Sequence, residues 1–484
     1  MEAPDFIDCD VVVVGTGAAG VAAGLAAAEG GAKVYVISKM PHHAPSPTTR
    51  AWGGMTWSTE QTADELIRQV VHTGGFLSDQ RRVRQFADAV PATLNKLRIE
   101  GCDFDDPQPA GEGMPGIVRW SYRGVDSGEE AIQRLIDASS AQCMWLFAAT
   151  EVLVQDGAVC GLAAIGLKAR EAVIFRCPCV ILASGGGAAA FQRTDNPPGA
   201  TGDGIAMAWE AGAELVDLEL ISFGYPEARV QDVLERGEEL REELLGLGYG
   251  HYFLGGVRVD ERCETNVRGL YAAGEVTGGL FGAARLGGAA LADCFVFGLE
   301  AGHNAAFAAQ TRAVELDHIV VDAACDRIEG ILRGSRAPAP VHERIRRILW
   351  EHVGPVKTAG SLQHAVEELH AIEADLAFTG GASREYIRAA VEARQMHTLG
   401  GLIAQASLER KETRGCYWRS DYPEPDNEGQ LRNIVLRKAK SGCELSSQPP
   451  VMTELTEPPA PRIGAGCFGY LTRLSDAIGP GSGR

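Results

Sequence analysis

Asp10-Val11-Val12-Val13-Val14-Gly15-Thr16-Gly17-Ala18-Ala19-Gly20 decides the N-terminal fold. Four valines without polar alternation mark a strand buried on both faces, as in a parallel sheet. The strand runs straight into Gly-x-Gly-x-x-Gly, then an Ala-rich stretch to Gly30 and a second apolar run, Lys33 to Ile37. Strand, glycine loop, helix and strand within about thirty residues is the context in which such a loop holds a dinucleotide. Gly15 permits the tight turn, Gly17 lets a pyrophosphate approach the backbone, and Gly20 brings helix and strand together. The helix start at Ala18 and Ala19 offers free N–H groups to negative charge. The second strand ends in Ser38-Lys39 with no Asp or Glu. A hydroxyl can still hold the adenosine ribose, but an NAD site loses its usual acidic partner.

A chain of 484 residues exceeds one ordinary hydrophobic core, so two or three domains are expected. Hydrophobic residues make up 45% and charged residues 23%, enough for a large globular core. The net charge of −19 repels phosphate backbones, which disfavours nucleic acid as a partner. An anionic substrate would need local basic groups against that field. Met1 to Asp10 lacks the basic and apolar regions of a signal peptide, and no run of eighteen apolar residues suggests a membrane span. The twelve cysteines include no C-x-x-C pair, and Cys177-Pro178-Cys179 is too tight for a zinc or cluster knuckle. The expectation is a cytoplasmic protein with reduced, buried thiols and no metal of its own. Any iron–sulfur relay would sit on another chain.

Further along, Val180-Ile181-Leu182-Ala183-Ser184-Gly185-Gly186 is another buried strand ending in glycines. Then comes Arg193-Thr194-Asp195-Asn196-Pro197-Pro198-Gly199-Ala200-Thr201-Gly202-Asp203-Gly204, a turn that delivers a carboxylate at a helix start. Three blocks follow: His251-Tyr252-Phe253-Leu254-Gly255-Gly256-Val257, Gly269-Leu270-Tyr271-Ala272-Ala273-Gly274-Glu275, and Gly282-Ala283-Ala284-Arg285-Leu286-Gly287-Gly288-Ala289-Ala290-Leu291. Near the C-terminus stand Arg410-Lys411-Glu412-Thr413-Arg414-Gly415 and Arg419-Ser420-Asp421-Tyr422-Pro423. In this order the motifs resemble the flavoprotein family of succinate dehydrogenase, fumarate reductase and L-aspartate oxidase, over most of residues 8–437.

The resemblance implies FAD and hydride exchange with a carbon next to a carboxylate or similar acid group. His251 and Arg285 take the catalytic roles of gripping the substrate's anionic ends; a guanidinium suits a carboxylate through two parallel N–H bonds. Competing readings are an Arg285 paired with a backbone carbonyl or Asp293, and a merely structural His251. For the cofactor the implied contacts are Gly15, Gly17, Ala18, Ala19, Gly20, Ser38, Lys39, Thr48, Gly53, Gly54, Ser184, Gly185, Asp203, Gly274, Glu275, Ala290 and Leu291.

The chain also departs from the family. The segment Ser46-Pro47-Thr48-Thr49-Arg50-Ala51-Trp52-Gly53-Gly54 has Pro47 where the respiratory enzymes attach FAD through histidine. His42 and His43 are out of register and expected on an exposed loop, so FAD is expected to be noncovalent. The family's capping domain takes on the order of one hundred residues. Only 24 residues lie between Pro226 and His251 here, and they resemble one charged helix and a turn. The proton-shuttling Arg of that cap has no clear counterpart; Arg229, Arg236 and Arg241 qualify by location alone, and a solvated helix face explains each. A Phe-His-Pro turn of the family has become Phe223-Gly224-Tyr225-Pro226, and the Arg loop carries Ala284, Ala289 and Ala290 at the family's polar positions.

The expected architecture is α/β. A discontinuous Rossmann-like FAD domain (1–228 and 251–311) carries a much reduced capping segment (229–250), a helical C-terminal domain (312–440) and an extended tail (441–484) that could wrap over a neighbour. Within it, Arg123 to Ser139 reads as a helix and Glu151 to Arg176 as a β-meander. Val341 to Ile372 and Tyr386 to Ser407 read as a three-helix bundle preceded by short helices. The leading function is an FAD dehydrogenase or reductase of a small-molecule acid or acyl substrate. Either that substrate is larger than fumarate or a partner protein closes the site. An electron-transfer protein or iron–sulfur subunit is the implied partner, in an oligomer or complex. Two alternatives stay open: an electron-transferring or structural FAD subunit of a redox complex, and an L-aspartate-oxidase-like amine oxidase.

Overall fold

The computed structural model describes residues 4–51, 53–109, 111, 115–119, 127–224, 248–440 and 442–458. Its centre is a five-stranded, all-parallel sheet in the order Leu270–Ala272, Cys179–Leu182, Val11–Val14, Val34–Ser38, Gln142–Trp145. The four valines are fully covered because the sheet packs on both faces. On one face the helix Ala18–Glu29 lies against the helix Ala289–Ala309. Their approach depends on small residues: a Cβ on Gly298 would stand 2.6 Å from the Ala19 carbonyl oxygen, and one on Gly302 2.3 Å from that of Ala23.

An antiparallel meander of Phe147–Gln155, Ala158–Gly166 and Glu171–Arg176 forms a second sheet. Its first strand begins before the expected Glu151. The sheet is extended by Asp5–Asp8, paired in parallel with Glu171–Arg176. That opening strand is exposed and partly charged, so no hydrophobic periodicity announces it. Ser127–Ala138 is the helix expected between Arg123 and Ser139.

Beyond residue 312, the helix His318–Leu332 packs on the meander. It is longer than the short helices expected there. Ala339–Val353, Ala359–Leu376 and Arg384–Glu409 pack on one another as the bundle. The long last helix leans on the FAD domain: its Leu399 side chain fills the space beside Gly187 and Gly202. After the bundle, Arg410 is buried among Glu219, Asp217 and Glu412 and ties the two regions together.

The described start of the tail, residues 442–458, is not simply extended, and residues 459–484 lie outside the described residues. Asn433–Ala439 and Gly442–Gln448 form a hairpin whose first strand pairs with Leu215–Val216. The following residues return to their own chain, where the Gln80 side chain accepts from Glu454 and Leu455 N–H groups. These backbone pairings are long-range, so local composition rich in proline suggested extension instead. Tyr225, Arg229, Arg236 and Arg241, with nearly all of the expected capping segment, lie outside the described residues. Among the described residues no helix is long and apolar enough to cross a membrane.

Candidate active site

Ligand sites in open parallel sheets form beyond the carboxyl ends of the strands. Here those ends deliver Gly15, Lys39, Ala183-Ser184-Gly185 and Ala273-Gly274-Glu275, and a cavity of 490 Å³ opens beside them. The volume falls within the ordinary range of cofactor and ligand pockets.

The first glycine adopts φ +119°, and a Cβ there would lie 2.3 Å from the Ala183 carbonyl oxygen. Gly20 has no room either, since its Cβ would meet the Gly15 oxygen at 1.9 Å; it joins helix to strand and does not line the cavity. Gly17 is the N-cap of the Ala18–Glu29 helix and provides no side-chain cap. Of the free helix N–H groups, that of Ala18 donates to Thr48 Oγ1 at 3.1 Å. Thr48 belongs to the short helix Pro47–Arg50, which Ser46 opens by capping the Thr49 N–H.

Gly17, Ala18, Ala19, Ser38, Gly54, Ser184, Gly185, Ala290 and Leu291 also line the cavity. Gly53, at φ +79°, and Gly274, whose Cβ would meet Ala19 and Cys294, are backbone pivots behind it. Ser184 Oγ accepts the Gly204 N–H at 3.0 Å at the start of the helix Asp203–Glu210. Glu275 lines the cavity too, although one of its oxygens accepts the Phe253 N–H at 2.9 Å. Burial raises its pKa.

Lys39 is not a free cation. Its ammonium sits 2.6 Å from Asp203, 2.9 Å from Glu392 of the bundle and 2.6 Å from the Thr201 hydroxyl. Burial opposes its charge, yet the two carboxylates outweigh burial and hold its pKa above the usual value. Asp203 in turn accepts the Thr201 hydroxyl at 2.5 Å. Glu392 was not anticipated, because it lies on a helix whose other side chains read only as bundle core.

Arg285 and His251 face the same cavity. The guanidinium lies over the Tyr252 ring, 4.4 Å from its centroid, and donates to its neighbour Leu286 O at 3.3 Å. Its Nε is buried without a hydrogen-bond partner. Among the described residues no Arg285–Asp293 ion pair forms. Asp293 stays buried with one oxygen unpaired, and desolvation pushes its pKa up to about 7. His251 stands on the strand Tyr249–Phe253, paired with Ile221–Gly224. Its Nδ1 lies 2.6 Å from Asp195 Oδ2, a contact across 56 residues that no local sequence pattern marks. The Tyr249 ring lies against Gly224, filling the space a side chain would take there.

His42 and His43 are exposed, as expected, but they also border the cavity. His42 stacks on Trp145 at 4.5 Å and on His43 at 3.7 Å, and His43 pairs with Glu129.

The FAD binding domain profile matches residues 10–248 and 246–291, and the Fumarate reductase flavoprotein C-term profile matches residues 342–463. The chain belongs to the FAD-binding fumarate reductase flavoprotein family. It is an FAD-dependent oxidoreductase. This flavoprotein is 28% identical to one subunit of the fumarate reductase (CoM/CoB) of Methanothermobacter marburgensis, over 90% of its own length and 98% of the relative's. It is 27% identical to L-aspartate oxidase of Streptomyces coelicolor, covering 89% and 92%. The first of these matches runs over 539 positions, more than the 484 residues of this flavoprotein, so the relative carries segments without a counterpart here. In fold it matches the Mycobacterium smegmatis Sdh1 complex in the apo form, with a TM-score of 0.81 and 23% identity over 99% of each chain.

The flavoprotein's residues fit FAD on structural grounds. The helix start, where Gly17 brings no side-chain cap and only Thr48 Oγ1 meets the Ala18 N–H, and the open space at Gly185 leave room and donors for a pyrophosphate.

Proposed function

We propose that the protein reduces or oxidises a carbon–carbon bond next to a carboxylate or acyl group, with FAD held noncovalently. The observation that carries this reading is the convergence of Arg285 and His251 on the cavity lined by the glycine cradle. Bound FAD supplies two-electron hydride chemistry. The chain's own residues do the rest. Arg285 retains buried N–H capacity aimed at no protein acceptor, which suits a carboxylate. The Tyr252 ring beneath it holds the guanidinium plane in place. His251 supplies a second polar group across the same space. Gly15, Gly17 and the Ala18 helix start hold the pyrophosphate, and Glu275 and Ser184 line the path beyond it.

Neither Arg285 nor His251 is enclosed by a large cap in sequence, so exclusion of water falls to the substrate's own bulk or to a partner protein. A substrate larger than fumarate suits so short a capping segment, and an electron-transfer protein or iron–sulfur subunit would supply the clusters for which this chain has no cysteine motif.

The test is anaerobic reduction of the purified flavoprotein, followed by fumarate, an enoyl thioester and an imino acid as separate acceptors. Reoxidation by an alkene acceptor supports the proposal. Reoxidation by the imine alone points to amine oxidation. Reoxidation by a ferredoxin and by none of the three acceptors makes the chain an electron-transferring subunit.

A further inference from the structure

We infer that Asp195 is a positioning residue that fixes His251 with its Nδ1–H directed at the carboxylate, so that Nε2 is the proton-transfer atom of the cavity. The inference rests on the proposed acid or acyl reduction and adds the proton donor to it.

The pair is held from both sides. Asp195 Oδ2 lies 2.6 Å from His251 Nδ1, while Oδ1 accepts from Asn196 Nδ2 at 2.9 Å. The same Asn196 amide donates to the His251 carbonyl at 2.7 Å. The backbone beneath is clamped too: Gly250 N–H donates to Arg193 O at 2.8 Å, and the Thr194 hydroxyl donates to Gly250 O at 2.8 Å. These bonds tie the turn to the strand, and the Asp195 contact orients the imidazole. A carboxylate acceptor at Nδ1 selects the tautomer with its proton there and leaves Nε2 as the ring's exchanging atom.

Several of the described ionisable groups that line the cavity have partners of their own. Lys39 and Asp203 neutralise one another. Glu275 is held by the Phe253 N–H. Arg285 lies over the Tyr252 ring and donates to Leu286 O. His251, with its side chain 42% exposed, can exchange protons with water between turnovers.

In reduction of an alkene acid, the β-carbon would take up a hydride, the chemistry that FAD would supply when bound. The C=C electron pair shifts to the carbon bearing the carboxylate, which takes the proton from imidazolium Nε2. The ring is left neutral with Nδ1–H on Asp195 and regains a proton from water. One hydride, one proton and one C=C bond become two C–H bonds.

The test uses full-length, FAD-bound protein labelled with 15N-histidine, the His251 signal being assigned from His251→Gln. At pH 8 the expected signature is the Nδ1–H tautomer, and Asp195→Ala should shift it to the Nε2–H form that an unpartnered histidine favours. With the alkene acceptor from the reoxidation screen, Asp195→Ala should lower kcat by about 10–100-fold with KM nearly unchanged, and Asp195→Glu should recover part of it. An unchanged tautomer in Asp195→Ala, or a loss confined to KM, overturns the inference. If no alkene acceptor works, the functional proposal fails, while the tautomer measurement still decides the Asp195–His251 relationship.

Discussion

The Lys39 ammonium lies 2.6 Å from the Asp203 carboxylate, joining the end of the second central strand to the first turn of a distant helix. Glu392, 2.9 Å away on the bundle's longest helix, closes the cluster from the other side. His342 of the bundle comes within 3.9 Å of the same Glu392. The cofactor domain and the C-terminal bundle thus share a buried charge network at the edge of the cavity.

Removing one member of a buried pair leaves an uncompensated charge, which costs about 3–5 kcal/mol when no partner remains. Lys39→Met leaves Asp203 and Glu392 facing each other and should reach that range. Glu392→Gln keeps the Lys39–Asp203 pair and should cost less, about 1–3 kcal/mol. Chemical denaturation with and without added FAD measures both, and equal losses for the two variants would contradict the ranking.

Gly15→Ala forces a side chain into φ +119° and 2.3 Å from a backbone oxygen. The turn must open, so the protein should purify without flavin absorbance or fail to stay folded. A variant that keeps a full complement of FAD would refute the close approach assigned to this glycine.

Arg285→Lys keeps the charge but loses the planar fork that binds a carboxylate through two bonds. The second-order constant kcat/KM should fall by about 10²-fold or more, with FAD content unchanged. Loss of FAD from Arg285→Lys would instead make the residue part of the cofactor cradle.

FAD should be released into the supernatant when the protein is precipitated with acid. Pro47 stands where a histidine link would be, and the nearby His42 is engaged with Trp145 and Gln133. Flavin fluorescence that stays with the washed precipitate would show a covalent bond.

Lys357 gives a pH prediction. It is fully buried between the Phe223 and Tyr417 rings, 5.3 and 4.8 Å from their centroids, and its Nζ has no hydrogen-bond partner. Desolvation, with repulsion from Arg419, pushes its pKa down from 10.5 to about 7. Below pH 7 the amine is charged in folded and unfolded chains alike, so the whole burial cost stands. Between pH 7 and 10.5 the unfolded chain binds the extra proton, so stability rises with pH through that window. Lys357→Met should therefore stabilise the protein by about 1–4 kcal/mol at pH 6, with the gain shrinking toward pH 10. Denaturation curves at those two pH values check the sign; a gain that grows with pH would reject it.

Much of this molecule is local in origin. The valine run, the glycine loop and the helix after it are visible in sequence because burial on two faces and a positive φ each demand particular residue types. The Arg285 loop and the helix start at Asp203 are legible for the same reason, since glycines mark their turns. The opening strand Asp5–Asp8 and the C-terminal hairpin were not, because their partners lie far along the chain and their exposed residues carry no period.

The sequence by itself determined the parallel-sheet cradle and which side chains could reach a cofactor. Only the tertiary structure decided which charges meet: Asp195 with His251, Lys39 with Asp203 and Glu392, Arg410 with Glu219. The reason is physical. Backbone preference and hydrophobic period act over a few residues, whereas an ion pair forms wherever docking of whole elements leaves two opposite charges within reach.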